Sequence, residues 1–295
     1  MSTCALVLEG GGFRSMFTAG VVDVLMEHGI YDFESVWGVS AGAIAATSFK
    51  SRQIGRTMRI MLAFRDDRRF MSLWSLATTG DMAGADFMYR EVQESLDPCD
   101  VETFCANPLK MYAVATDVTF GAPAYLPVRT LPDDVDMIRA SASMPLVSRL
   151  VDIDGRILLD GGTADSIPVD AALGRTEGPI DVEGYEPADK AVVVLTQDAS
   201  YEKSGANERM VLRSHRYDAY PYYLHALETR PERYNACRRH VHEMADAGEI
   251  VCIEPPSPVE VATSGSSGEK CLTLYLQGRA EAERQLDQIR EYLAR

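Results

Sequence analysis

The chemistry-bearing residue of this chain is Ser40, in the run Val36-Trp37-Gly38-Val39-Ser40-Ala41-Gly42-Ala43. An apolar stretch feeds a Gly-x-Ser-x-Gly turn, and small residues with helical potential follow over 41–49. That order predicts a strand, a sharp elbow and a helix. Gly38 and Gly42 permit strained backbone and close packing, so the hydroxyl stands exposed with a helix N-terminus behind it, as a nucleophile requires. The competing reading is a glycine-rich turn whose serine only caps the helix. Two further groups weigh against it: Gly10-Gly11-Gly12 after one apolar run, and Asp160-Gly161-Gly162 after Ile157-Leu158-Leu159. Each of the three is about a one-in-ten accident in a chain this long, so all three together are on the order of one in a thousand.

A serine hydroxyl needs a base to take its proton. Asp160 is one candidate. Ser40, Asp160 and one of His215, His225, His240 or His242 would also follow the Ser-Asp-His order of α/β-hydrolases. Only one strand–loop–helix unit precedes Ser40, however, and the histidines fall in helical or Tyr/Arg-rich stretches. Residues 10–15 form a glycine-rich turn between a strand and a helix, which leaves backbone N–H groups pointing outward to meet an anion or oxyanion. A dinucleotide fingerprint over the same residues fails at its third glycine, where Ser15 stands.

Taken with Ala142-Ser143-Met144-Pro145 and Ile167-Pro168-Val169, these motifs resemble those of the bacterial patatin-like phospholipases, in the same order and over roughly residues 4–200. The one departure is Ser15, where the family usually has glycine. The resemblance implies a three-layer α/β/α patatin-like fold with a mainly parallel sheet and a C-terminal helical extension. It implies acyl-ester hydrolysis on a phospholipid or lysophospholipid, with Asp160 acting directly on Ser40 and an acyl-enzyme intermediate. Gly10, Gly11 and Gly12 would hold the oxyanion, and Arg14 would support that loop or meet a phosphate headgroup. Gly38, Gly42, Gly161 and Gly162 would support the elbow and the aspartate. No cofactor and no metal are implied. The alternatives are a Ser-Asp-His esterase and a catalytically silent lipid-binding or regulatory module.

The elements that must position these groups read as follows. Residues 4–8 are an unbroken apolar run, a buried strand, and 16–27 show helical spacing. Residues 32–42 supply the next strand and the elbow, and 110–116 another strand. Residues 125–128 read as a short edge strand because of Pro127. Asp117 is expected to be a turn residue. Val151 to Leu159 forms a hairpin about Asp154-Gly155 that delivers Asp160 at a strand end. A parallel-type strand over 191–195 follows an acidic connection. Residues 57–94 are rich in Met and aromatics, which suits either ordinary core or an acyl channel or lid; the charges of 65–69 read as a solvated face. Past 200 the expectations are a helix over 233–247, a strand over 250–253, a Pro/Ser/Gly-rich loop over 255–267 and an amphipathic helix over 279–293. Residues 1–200 are thus expected to form the hydrolase unit, with 201–295 packed on it.

Composition narrows the partners. The net charge of −15 disfavours nucleic acid and simple attraction to an anionic bilayer, so lipid contact must be local and apolar. The expected partners are a lipid or acyl-ester substrate and a transient membrane-surface contact; oligomeric state is left open. No stretch approaches the ~18 apolar residues of a spanning helix, and the first residues lack a signal-like n-region. Six scattered cysteines without Cys-x-x-Cys spacing are expected as free thiols in a reducing cytoplasm.

Overall fold

The computed structural model describes residues 2–263 and 265–295; Met1 and Ser264, the latter within the expected 255–267 loop, lie outside the described residues. The strands are β1 (Cys4–Leu8), β2 (Ser35–Val39), β3 (Lys110–Asp117), β4 (Ala122–Pro127), β5 (Val151–Ile153), β6 (Arg156–Asp160), β7 (Lys190–Val194) and β8 (Ile250–Ile253). The helices are α1 (Met16–Glu27), α2 (Ala41–Lys50), α3 (Arg56–Phe64), α4 (Leu73–Thr79), α5 (Val101–Ala106), α6 (Val135–Ser141), α7 (Val169–Ala172), α8 (Ala206–Arg213), α9 (Pro221–Asp246), α10 (Gly268–Arg284) and α11 (Leu286–Ala294), with a π-helical stretch at Phe87–Leu96.

All eight strands join one sheet, in the order β5-β6-β3-β2-β1-β7-β8 with β4 on β3. The run from β3 to β8 is parallel, and β4, β5 and β6 add antiparallel pairings. β1 shows why its sequence is apolar throughout. Cys4, Leu6 and Leu8 enter one core cluster, with helical residues of α1, α2 and α10, while Ala5 and Val7 enter another with residues of α7 and α9. A strand covered on both faces has no polar side to show. The result is the expected α/β/α sandwich.

The residues past 200 are part of this body. β8 pairs with β7, and α10 crosses α1 at a contact made by two glycines. A Cβ on Gly20 would lie 2.2 Å from the Tyr275 carbonyl, and one on Gly278 would lie 2.1 Å from that of Phe17. Because α10 covers it, α1 is buried along all of its length but Glu27.

Three expectations are corrected. The helix placed over 233–247 begins twelve residues earlier, at Pro221, and runs through Pro231. A proline costs a helical hydrogen bond, and here the Arg233 guanidinium reaches back to the Ala226 carbonyl at 2.8 Å in the turn before it. The single helix over 279–293 is two helices, broken at Gln285. α10 buries Leu274, Gly278 and Ala282 along α1, whereas α11 must turn so that the Tyr292 hydroxyl reaches the Glu249 carbonyl at 2.7 Å. The edge strand over 125–128 spans Ala122–Pro127 instead.

In the Met- and aromatic-rich stretch Ile60, Phe70, Phe87 and Met88 are buried in the core cluster, and Ile60, Met61, Phe70 and Met88 also line a second, largely apolar cavity of about 290 Å3. Leu73 and Trp74 stay exposed, with the Arg68 guanidinium 4.3 Å from the Trp74 ring centroid. Arg65 and Arg69 pair with Asp66 and Asp67 at the surface, as a solvated face does. Asp117 is the expected turn residue, accepting from the N–H groups of Thr119 and Phe120. No helix among the described residues is long and apolar enough to cross a membrane.

Candidate active site

β3 is the template on which the site is assembled. β4 pairs with Tyr112 to Asp117, so both β2, which pairs with 110–114, and β6, which pairs with 115–117, must lie on the opposite edge of β3. They meet there end to end. Val39 faces Val114 and Asp160 faces the next residue, Ala115, so Ser40 leaves β2 where β6 delivers Asp160.

Ser40 has φ 54° and ψ −124°, a region that a side-chain-bearing residue occupies only when its surroundings compel it, at about 1–3 kcal/mol. Three contacts hold it. Its N–H donates to Ser141 Oγ at 2.8 Å, Ser141 Oγ donates to the Val114 carbonyl at 2.6 Å, and the Ser40 carbonyl accepts from Ala43 N–H at 2.9 Å. Glycine is required on both sides. A Cβ on Gly38 would lie 2.5 Å from Ala43 Cα, and one on Gly42 2.4 Å from the Leu8 carbonyl. The Ser40 hydroxyl makes no capping bond to α2, which removes the helix-cap reading and leaves the oxygen free for chemistry.

Asp160 is buried and held at every polar atom of its backbone. Its N–H donates to the Ser143 carbonyl at 2.8 Å, its carbonyl accepts from Thr116 Oγ1 at 2.8 Å, and its Oδ1 accepts from Gly162 N–H at 2.8 Å. Burial raises its pKa above the usual carboxylate value. The Ser40 hydroxyl, the Gly162 N–H, and the charges of Arg230 and Lys203 pull it back. Gly161 has no room for a side chain, since a Cβ would lie 2.0 Å from the Val114 carbonyl. A Cβ on Gly162 would lie 2.9 Å from Arg230 Nη2 and 3.0 Å from Asp160 Oδ1, so the guanidinium and the carboxylate flank that glycine.

The glycine loop runs against the elbow. A Cβ on Gly10 would lie 2.8 Å from the Val39 carbonyl and 3.0 Å from Ser40 Cβ, and Gly12 has φ +57°. Among the described residues, nothing accepts a hydrogen bond from the N–H groups of Gly10, Gly11 or Gly12. Arg14 supports the loop through Nη1 to Thr263 Oγ1 at 2.8 Å, beside the Phe13 N–H to Thr263 carbonyl bond at 3.1 Å. The departing Ser15 is buried at the turn into α1.

Ser40, Asp160 and the three glycines line one cavity of about 290 Å3. Several of its residues escaped the sequence reading. Glu9 is buried and accepts from Thr196 N–H at 2.6 Å and the Tyr234 hydroxyl at 2.5 Å, tying the loop to β7 and α9. Lys203, Arg230 and Thr263 also face the cavity, from beyond residue 200. The available signal was positional: Glu9 directly follows β1 and Thr196 lies just past the end of β7, and open α/β sheets place ligands at carboxyl ends.

Among the described residues, no histidine lines the cavity. His28, His215, His240 and His242 pair instead with Glu283, Asp218, Asp170 and Glu254. His242, Cys252 and Glu254 bring potential metal-ligand atoms within 4.8 Å of one another, but Glu254 is already engaged by His242 at 3.0 Å and Arg238 at 3.6 Å.

A model of the patatin-like phospholipases matches residues 6–173, more than half of the chain, including the loop, the elbow and Asp160. This chain belongs to the patatin-like phospholipase family. A second model, a domain of unknown function (DUF6363), matches residues 220–294, so this patatin-like chain takes Arg230 and Thr263 from outside the patatin match. Among similar proteins, YjjU of Escherichia coli, itself uncharacterized, is 33% identical over 57% of this chain and 48% of its own. An uncharacterized NTE family protein of Mycobacterium bovis is 30% identical over 56% and 44%. A lysophospholipase of Meyerozyma guilliermondii is 29% identical over 56% of this chain and 11% of its own. The chain thus spans about half the length, or less, of these curated relatives. Among solved structures, VipD from Legionella pneumophila aligns at 12% identity with a TM-score of 0.45, covering 97% of this chain and 67% of that one.

Proposed function

We propose that this patatin-like chain is a serine acyl hydrolase that cleaves fatty-acyl esters of phospholipids or lysophospholipids through a Ser40–Asp160 dyad. The observation that carries the reading is the register of β3, whose consecutive residues Val114 and Ala115 pair with Val39 and Asp160. Asp160 takes the proton of Ser40 Oγ as that oxygen attacks the ester carbonyl. The N–H groups of Gly10, Gly11 and Gly12 receive the negative oxygen, where one such donor contributes roughly 3 kcal/mol. Collapse forms the acyl-enzyme, and the departing alkoxide leaves as the alcohol with the proton from Asp160. Asp160 then deprotonates a water that attacks the acyl carbon, which frees the fatty acid and restores the Ser40 hydroxyl. The raised basicity of a buried carboxylate suits this task. We further infer that residues 1–200 form the hydrolase unit and 201–295 an extension packed on it, and that the protein works in a reducing cytoplasm, consistent with six unpaired cysteines.

The test pairs labelling with mutant ranking. A fluorophosphonate probe is expected to label the protein at Ser40. Ser40→Ala and Asp160→Asn should both abolish hydrolysis of acyl esters with circular dichroism unchanged, while His215, His225, His240 and His242 should each tolerate Gln within about tenfold. One folded histidine variant as inactive as Ser40→Ala would overturn the dyad, and an unlabelled wild type without turnover would make the chain a binding module.

A further inference from the structure

One end of the catalytic cavity is cationic, and its charges come largely from outside the segment that matches the patatin model. Lys203 precedes α8 and Arg230 lies in α9; Arg14, from the glycine loop, is the third. Lys203 is held in place by its backbone. Its N–H donates to Asn235 Oδ1 at 2.9 Å, its carbonyl accepts from Asn235 Nδ2 at 3.2 Å, and its ammonium sits 4.7 Å from the centroid of the Tyr234 ring. Among the described residues, no carboxylate pairs with that ammonium.

The neighbouring charges are otherwise engaged. Glu208 pairs with Arg230 at 2.8 Å, and Glu9 is taken up by Thr196 and Tyr234. Asp160 is the proposed base. Both Arg14 Nε and Arg230 Nε are buried with no hydrogen-bond partner among the described residues. Arg14 and Arg230 line the cavity, each with an unpartnered buried Nε, beside an ammonium that no carboxylate pairs, and an anion there would offset both the clustered like charges and the unmet donors.

We propose that Lys203 and Arg230, with Arg14, form a phosphate-binding end of the cavity, selecting lipids whose headgroup is anionic over choline-bearing and neutral ones. The cluster offers no free carboxylate to a quaternary ammonium, so a choline group would set a cation among cations. A terminal phosphate or phosphoglycerol headgroup meets the donors of Lys203, Arg230 and Arg14, while the two carboxylates lining the same cavity are held elsewhere, Glu9 by Thr196 and Tyr234 and Asp160 by the Gly162 N–H. The selectivity rests on the acyl hydrolase reading above; the phosphate site itself does not.

The experiment compares three substrates with one acyl chain: oleoyl lysophosphatidic acid, oleoyl lysophosphatidylcholine and monooleoylglycerol. The wild type is expected to show the highest kcat/KM on the first. In Lys203→Met the ratio of lysophosphatidic acid to monooleoylglycerol should fall at least tenfold, mainly through KM, and Lys203→Arg should restore most of it. Using a ratio cancels whatever the substitution does to Asp160. A wild type that prefers the choline lipid, or a ratio unmoved by both Lys203→Met and Arg230→Met, overturns the proposal.

Calorimetry on Ser40→Ala with glycerol 3-phosphate separates the two readings. If no ester is hydrolysed, the acyl hydrolase reading falls, while glycerol 3-phosphate binding that weakens tenfold in Ser40→Ala/Lys203→Met still supports the site. Binding of inorganic phosphate as tight as that of glycerol 3-phosphate would make this a site for the free ion and overturn the headgroup assignment.

Discussion

Ser141→Ala tests the geometry of the elbow without touching its chemistry. Ser141 is fully buried at the end of α6, and its hydroxyl stands between the N–H of Ser40 and the carbonyl of Val114. Alanine leaves the Ser40 N–H without its acceptor in a buried place, at a cost of about 1–3 kcal/mol. For a domain of this size that corresponds to a fall in melting temperature of roughly 2–4 °C per kcal/mol. The same bond also resists relaxation of a Ser40 backbone that stores about 1–3 kcal/mol of strain. If the elbow relaxes, part of the stability returns, but Ser40 Oγ moves relative to Asp160 and the glycine loop. The expected signature is therefore a loss of about 1–3 kcal/mol in urea denaturation together with a drop in kcat of about tenfold or more, each tenfold step being about 1.4 kcal/mol of barrier. Ser40→Ala, inactive but with Ser141 intact, serves as the stability control. A Ser141→Ala protein within about 0.5 kcal/mol of wild type and within twofold in kcat would refute the claim that this bond holds the elbow.

The other expectations follow from contacts and charge. Gly161→Ala should destabilise the protein by more than about 2 kcal/mol, because its Cβ would meet the Val114 carbonyl at 2.0 Å and must push β6 from β3; a melt unchanged from wild type would show that the junction gives way freely. Gly12→Val should lower kcat about 100-fold or more, since φ +57° and the Thr263 carbonyl 2.2 Å from the new Cβ turn the loop donors away; weaker binding with normal turnover would make the loop a headgroup site. The Lys203 ammonium is pushed down to about 8 by burial first, then by Arg230 and Arg14 against the opposing pull of Glu208 and Glu9, beside the Tyr234 ring. It is charged below that pH and loses its proton above it, while a phosphate monoester, with its second pKa of about 6, is already doubly charged. The preference for lysophosphatidic acid should therefore decline as pH rises through about 8 in wild type and stay level in Lys203→Arg; a level profile in wild type would exclude Lys203 as the titrating contact.

The elbow at Ser40 was legible because it is local: an apolar run, two glycines and a helix-forming segment within about a dozen residues report their own conformation. The same holds for Asp160, delivered by a hairpin whose Asp154 and Gly155 both take positive φ, and for β1, whose unbroken apolar run announces burial on two faces. Local pattern carries no information about which strand lies beside which, or in what register. Only the sheet brings Ser40 and Asp160, 120 positions apart, to neighbouring residues on one edge of β3. Tertiary packing alone decides that Tyr234, 225 residues away, holds Glu9 beneath the glycine loop. It also carries α9 through Pro231 and brings Lys203 and Arg230 into the cavity. In isolation each of these reads as an ordinary surface charge or core aromatic, because burial and the identity of the neighbour, rather than residue type, determine what the group does.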